Sequence, residues 1–86
     1  MPKLIVTHEV ADVAHWQAST KREEVFGGVA LNITTFVDPQ DPNKVGLTMD
    51  VADMAAFDAV MSSEAGAAAM KYDRVRPDTV AVLIHG

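Results

Sequence analysis

Three histidines, one tyrosine and no cysteine limit the polar chemistry this chain can offer. His8 is the foremost candidate. It falls within Lys3–Val10, KLIVTHEV, where Leu4, Val6, His8 and Val10 share one side of an extended strand and Lys3, Ile5, Thr7 and Glu9 the other. An imidazole among aliphatic neighbours faces an apolar enclosure, where it could take a proton near neutral pH as a general base. The same position also suits a structural histidine hydrogen-bonded to a neighbouring element, and the two readings stand side by side. His85 lies one residue from the end of the sequence, where solvent exposure is common, and acts in a pocket only if the last strand stays paired. His15 follows a helix cap and is expected at the surface. Tyr72 could donate a hydrogen bond to an enolate or phenolate oxygen, although a tyrosine at a helix end also serves as an amphipathic packing residue.

A second group of residues is defined by strand alternation. Asn32, Thr34 and Phe36 occupy one face of a strand, and Gly46, Thr48 and Asp50 one face of its hairpin partner. Lining a cavity, they would place a few polar anchors in an apolar wall; on an open sheet they would be solvated cross-strand pairs. The histidines are dispersed and form no spacing that holds a metal, and the glycines form no nucleotide-binding fingerprint, so neither metal nor organic cofactor is expected. Trp16, Phe57 and the methionines Met49, Met54, Met61 and Met70 read as core. Met1-Pro2 would expose a proline amine after loss of Met1; with Met1 retained, that nucleophile is not expected.

These residues must be positioned by a β-α-β unit that occurs twice. The first unit is the strand Lys3–Val10, a helix capped by Asp12 and stopped by Gly27-Gly28, and a strand over Val29–Val37. The loop Asp38-Pro39-Gln40-Asp41-Pro42-Asn43 leads into the second: a strand Lys44–Val51, a helix capped by Asp53, a continuation recapped near Ser63 across Ala65–Tyr72, and a last strand Thr79–His85. Gly66 weakens that continuation. The order βαββαβ defines an α+β, ferredoxin-like fold with a four-stranded antiparallel sheet. The whole chain, 1–86, forms one domain.

The final strand gives the quaternary expectation. Val80-Ala81-Val82-Leu83-Ile84 is apolar at successive positions, so both its faces call for cover, whereas two helices on one side cover only one. A homodimer with sheets face to face satisfies this. It would place interface and pocket on the sheet face away from the helices.

Composition removes other classes. A net charge of -5 argues against nucleic-acid binding, and the Lys21–Glu24 run, KREE, reads as a solvated helix face. The sequence shows neither a secretory signal nor a bilayer-length apolar stretch, which fits a cytoplasmic protein with no membrane partner.

The segment His8-x-Val10-x-Asp12-x-x-x-Trp16, the Asp38-Pro39-x-Asp41-Pro42-Asn43 loop before a strand, and the Ser62-Ser63-Glu64 start of a late helix together resemble the dimeric α+β barrel superfamily. That superfamily includes antibiotic-biosynthesis monooxygenase-like proteins, muconolactone isomerases and stress-responsive barrel proteins. The resemblance implies a homodimer that binds a small apolar or aromatic molecule and acts as a cofactor-independent monooxygenase, cyclase or isomerase. The alternative it allows is a noncatalytic ligand-binding or stress-associated protein. Haem-degrading members pair a pocket Asn with a Trp and a ligating His; here Asn32 is on a strand but Trp16 falls in a helix. Polyketide-cyclising members pair a Tyr with a late His, and Tyr72 and His85 are the residues present. In the implied mechanism His8 or His85 removes a proton and Tyr72 or Asn32 stabilises the oxyanion.

Overall fold

A computed structural model describes residues 2–85. Met1, on which the proline-nucleophile question turned, lies outside them. The element order is β1 (Lys3–Val10), α1 (Val13–Ala18), α2 (Lys21–Phe26), β2 (Leu31–Val37), β3 (Lys44–Asp50), α3 (Met54–Met61), α4 (Glu64–Tyr72) and β4 (Val75–Ile84). The four strands form one sheet in the order β2-β3-β1-β4, with every neighbouring pair antiparallel. This is the expected ferredoxin-like arrangement.

Alternation along the strands decides which face meets the helices. Leu4, Val6, His8 and Val10 of β1 and Val45, Leu47 and Met49 of β3 are buried, and they join Trp16, Ala30, Val51 and Phe57 in the core. Fully burying a side chain the size of Leu or Phe is worth about 1.5–3 kcal/mol, so the five that are essentially inaccessible, Trp16, Phe57, Leu4, Val10 and Val51, carry much of the stability. The three expected caps form. Asp12 Oδ1 accepts from the His15 N–H at 3.1 Å, Asp53 Oδ1 from Ala56 at 3.2 Å, and Ser63 Oγ from Gly66 at 3.0 Å.

The first helical region departs from expectation. A single helix from Asp12 to the Gly27-Gly28 pair is instead two six-residue helices separated at Ser19 and Thr20. The break persists because Arg22 folds back onto the end of α1. Its Nη1 donates to the Trp16 carbonyl oxygen at 2.9 Å and its Nη2 to that of Ser19 at 3.3 Å. Carbonyls that would lack partners at a helix C-terminus are thereby capped by a cation. Arg22 is buried, so the KREE segment is not wholly a solvated face.

Both edges of the sheet carry irregularities. On β2, Leu31 pairs with Asp50 and Thr34 with Thr48, so Asn32 and Ile33 oppose Met49 in a bulge. Asn32 takes a left-handed φ of 56°, which asparagine tolerates better than most residues. On β4, strand structure begins at Val75 rather than Thr79 and runs through Pro77. Proline is accommodated because β4 is an edge strand and its ladder with β1 is interrupted there.

Candidate functional site

The β4 irregularity lies beside His8. Thr7 pairs with Ala81 and Glu9 with Arg76, which leaves His8 opposite the stretch Pro77-Asp78-Thr79-Val80. Thr79 closes this bulge: its Oγ1 accepts from the Glu9 N–H at 2.8 Å and donates to the Arg76 carbonyl at 2.6 Å. Bulges re-aim strands next to sites, and this one leaves His8 without a paired residue on β4.

His8 points from the sheet toward the helices. It is 6% exposed and meets the Trp16 ring edge-on, with centroids 5.6 Å apart and planes at 78°. Burial pushes its pKa below the usual histidine value, and the Arg22 cation adds to that effect. The backbone at Glu9 and the Asp73 carboxylate pull the other way without offsetting the loss of solvent. The ring is therefore held neutral at pH 7, able to accept a proton.

Beneath this ring lies a cavity of about 70 Å³ between the sheet and the helices. Its wall is aliphatic, aromatic and thioether, including Val6, Phe26, Ile33, Leu47, Phe57 and Met70, apart from three titratable residues: His8, Arg22 and Asp73. Such a space admits several waters or one small organic group.

Asp73 caps the C-terminus of α4, its N–H donating to the Ala69 carbonyl at 2.9 Å. The next residue, Arg74, adopts a left-handed φ of 58° that turns the chain into β4. Glycine commonly fills this post-helical position, and the left-handed conformation costs an ordinary residue about 1–2 kcal/mol. Asp73 is held against Arg22 with Oδ2 3.8 Å from Nη1, an ion pair whose side chains are 4% and 10% exposed. The Arg22 guanidinium carbon also lies 4.6 Å from the centre of the Trp16 ring, within cation–π range.

Three buried polar atoms in this cluster have no hydrogen-bond partner: His8 Nδ1, Arg22 Nε and Asp73 Oδ1. Leaving a buried polar group unpaired costs about 1–3 kcal/mol, and more when it is charged. Three such atoms on the wall of one cavity form a set of polar anchors facing an apolar space.

The residues singled out from sequence divide sharply. His8 lines the cavity. Asn32, Thr34, Phe36, Thr48 and Asp50 do not: Thr34 pairs with Thr48 and Phe36 with Gly46 on the opposite face of the sheet. There the Asn32 Nδ2 donates to Asp50 Oδ2 at 2.9 Å, and this bond, with Lys3 Nζ at 3.7 Å, holds the Asp50 carboxyl below its usual pKa despite an opposing desolvation. The cavity within the chain lies on the helix face, opposite the sheet face expected to form a pocket with a second copy. Short, broken helices do not fill the space above the sheet.

Tyr72 is also away from the cavity. It is 52% exposed, with its ring 5.1 Å from that of half-buried His15 and under Lys21 Nζ at 5.3 Å, while its carbonyl bonds His15 Nε2 at 2.8 Å. His85 is exposed, though its N–H keeps the chain end paired by donating to the Lys3 carbonyl at 2.8 Å. Neither is near enough to the cavity to line it. Arg22 and Asp73 were missed as site residues. Arg22 precedes Phe26 by four positions, so a helix burying Phe26 turns Arg22 toward the same side; Asp73 carries no comparable signal.

Among the described residues, no group of three His, Cys, Asp or Glu side chains is arranged to hold a metal ion, and no helix is long and apolar enough to cross a membrane.

The fold and cavity define a class: a ferredoxin-like α+β domain with a buried imidazole and an ion pair in an apolar chamber. No family model and no curated protein matches the sequence. Solved structures do match across the whole chain. One described as an antibiotic biosynthesis monooxygenase has a TM-score of 0.66 at 19% identity, covering 100% of this chain and 97% of its own. A Deinococcus radiodurans protein, assigned provisionally to the same activity, has a TM-score of 0.61 at 11% identity, with 100% and 91% covered. A Pseudomonas aeruginosa protein has a TM-score of 0.59 at 15% identity, with 98% and 90% covered. The chain therefore shares the fold of antibiotic-biosynthesis-monooxygenase-like structures, as the sequence resemblance implied.

Proposed function

We propose that this protein is a homodimer that binds an apolar or aromatic small molecule in the cavity beneath His8 and transforms it without a cofactor. The observation that carries this reading is a neutral, buried imidazole on the wall of an apolar chamber. His8 removes a proton from an acidic C–H or O–H of the substrate, and the apolar wall excludes water. Isomerisation or cyclisation follows from the resulting anion alone. Oxygenation uses dioxygen as oxidant: a methylene carbon becomes a carbonyl, one oxygen atom enters the product and the other leaves as water with the two hydrogens. The likeness to structures described as monooxygenases favours the last of these. Of the residues named from sequence as oxyanion donors, neither Tyr72 nor Asn32 lines the cavity; the donor on its wall without a partner is Arg22 Nε–H.

The dimer is supported by the sheet's outer face. Ile5, Leu31, Phe36 and Leu83 are 45%, 51%, 54% and 61% exposed, although each pairs within the sheet or belongs to its strands. An apolar face of this kind on a small domain fits a second copy of the same sheet.

One observation favours the noncatalytic alternative. His8 Nδ1 has no hydrogen-bond partner, so no second side chain orients the imidazole as is usual for a catalytic base. Native mass spectrometry of the purified protein, followed by turnover assays on the class of any retained compound, separates the two. Catalysis predicts that His8→Ala abolishes turnover while the protein stays folded; a binding protein shows no turnover and keeps its affinity for compounds of the right shape.

A further inference from the structure

We propose that Arg22 and Asp73 select the polar end of the ligand, and that they select a neutral group which both donates and accepts a hydrogen bond, such as a phenol or enol, over a carboxylate. This rests on the reading of the cavity as a ligand site.

The argument begins with what each side chain has already spent. Arg22 is fixed by two bonds to the end of α1 and by the Trp16 ring, and Nε is the one of its three nitrogens with no hydrogen-bond partner. Asp73 is fixed at the end of α4 with Oδ2 toward Arg22, so Oδ1 is left to accept. The two free groups, one donor and one acceptor, belong to adjoining residues on the wall of one cavity, and both side chains are at least nine-tenths buried. A hydroxyl can accept from the first and donate to the second. An ether or ketone can only accept. A carboxylate can also accept from Nε–H, but it would meet Asp73 as a like charge, and the Arg22 charge that would compensate is already matched. Hydrocarbon leaves both groups unpaired. A water can satisfy them in the free protein, so a ligand gains only if its own polar end replaces that water's bonds.

The pair therefore sorts ligands by hydrogen-bonding type rather than by shape. Sites built to pair a hydroxyl reject the analogue that lacks it far more strongly than apolar pockets reject a missing methylene.

The test is binding of four small aromatic probes to the full chain at pH 7, followed by NMR shifts of the cavity methyl groups: phenol, anisole, toluene and benzoate. Phenol is expected to bind on the order of tenfold or more tighter than toluene or anisole, with benzoate weakest. Asp73→Asn, which leaves the Arg22 charge unmatched, should bring benzoate up to or past phenol. The double variant Arg22→Met/Asp73→Leu, which removes the donor and the acceptor together, should bind phenol and toluene alike and guards against misreading a folding defect in the single variant. Equal binding of phenol and toluene to the unaltered protein, or a preference for benzoate, overturns the selection while leaving the cavity a ligand site. Failure of all four probes to shift any cavity methyl overturns the ligand reading itself, and this inference with it.

Discussion

Arg22 holds Trp16 twice, by a hydrogen bond from Nη1 to the Trp16 carbonyl at 2.9 Å and by its guanidinium carbon 4.6 Å from the centre of the indole. The same residue ends α1, allows α2 to begin and faces Asp73 across the cavity wall. A local capping interaction and a tertiary ion pair thus share one side chain, and the indole they fix is the surface against which His8 rests.

Removing Arg22 alone should be severe. Arg22→Ala uncaps α1, empties the space beside Trp16 and leaves the Asp73 carboxylate buried without its cation. Breaking a buried pair from one side costs about 3–5 kcal/mol, a large share of the 5–15 kcal/mol typical of whole domains. Replacing both partners with apolar residues, as in Arg22→Met/Asp73→Leu, should cost less than Arg22→Ala. Urea denaturation of the two variants and the parent checks the order; a double variant as unstable as the single one would show that capping, not the charge, dominates.

Much of this scaffold is legible in sequence, because it depends on neighbours along the chain. The alternation in KLIVTHEV assigns the two faces of β1, and Asp12, Asp53 and Ser63 mark helix starts within one turn. What is not legible depends on residues far apart. The split after Ala18 needs Arg22 to fold back on Trp16; the KREE run gives no hint of that contact, and only the four-residue spacing to Phe26 marks the side that Arg22 faces. Asp73 becomes a site residue only because the left-handed Arg74 and the β4 bulge bring the end of α4 over the sheet. The outer-face set, Asn32, Thr34 and Phe36 with Gly46, Thr48 and Asp50, follows from strand alternation. Its assignment to a pocket depends on a second copy covering that face, because alternation says which residues share a face but not what covers it.

The titration of His8 should appear in stability. Its folded pKa is depressed, so near pH 6.5 and below, the unfolded chain takes up a proton that the folded chain resists. The stabilisation is fully present above the unfolded value of about 6.5 and is lost as pH falls from there through the folded pKa. Melting temperatures measured from pH 8 to pH 5 should decline on the acid side, and His8→Leu should flatten that decline. Asp50, also depressed, adds its own loss only as pH falls from the ordinary carboxylate value downward, outside the pH 8 to 5 series. A His8→Leu profile parallel to the parent's would show that His8 does not titrate as its surroundings dictate.

Arg74 occupies a backbone conformation that a branched side chain adopts poorly. With φ at 58°, Arg74→Val should lower stability by about 1–2 kcal/mol, more than loss of its exposed ion pair with Asp12 at 3.6 Å would cause. Arg74→Gly loses the same ion pair but relieves the strain. A thermal melt that places the Gly variant well above the Val variant supports the backbone account, and equal losses would assign the effect to the side chain.

Association through the sheet can be tested at its most exposed apolar positions. Phe36 and Leu83, on the two edge strands, are exposed within the chain, and a charge at either would lie within a sheet-to-sheet interface. Phe36→Glu and Leu83→Glu should convert a dimer to a folded monomer in analytical ultracentrifugation. A parent protein that sediments as a monomer at high micromolar concentration would remove the dimer from the proposed function and leave the cavity, which is formed within one chain, unaffected.

Gly66 shows how the helices over the cavity are joined. A Cβ placed there would lie 2.2 Å from the Val60 carbonyl oxygen and 3.2 Å from that of Met61, so the first turn of α4 packs against the end of α3 at backbone distance. In an unconstrained helix Gly→Ala would stabilise by about 1 kcal/mol. Here the backbone cannot yield as a flexible side chain would, and Gly66→Ala should instead destabilise by about 1–3 kcal/mol. Because Met61 and Met70, on the two helices so joined, both line the cavity, forcing the helices apart should also change its shape. Combined melting curves and probe binding distinguish the cases. Loss of stability together with altered probe selectivity ties the helix junction to the site, whereas the gain in stability expected of an ordinary helix position would contradict the close approach of α3 and α4.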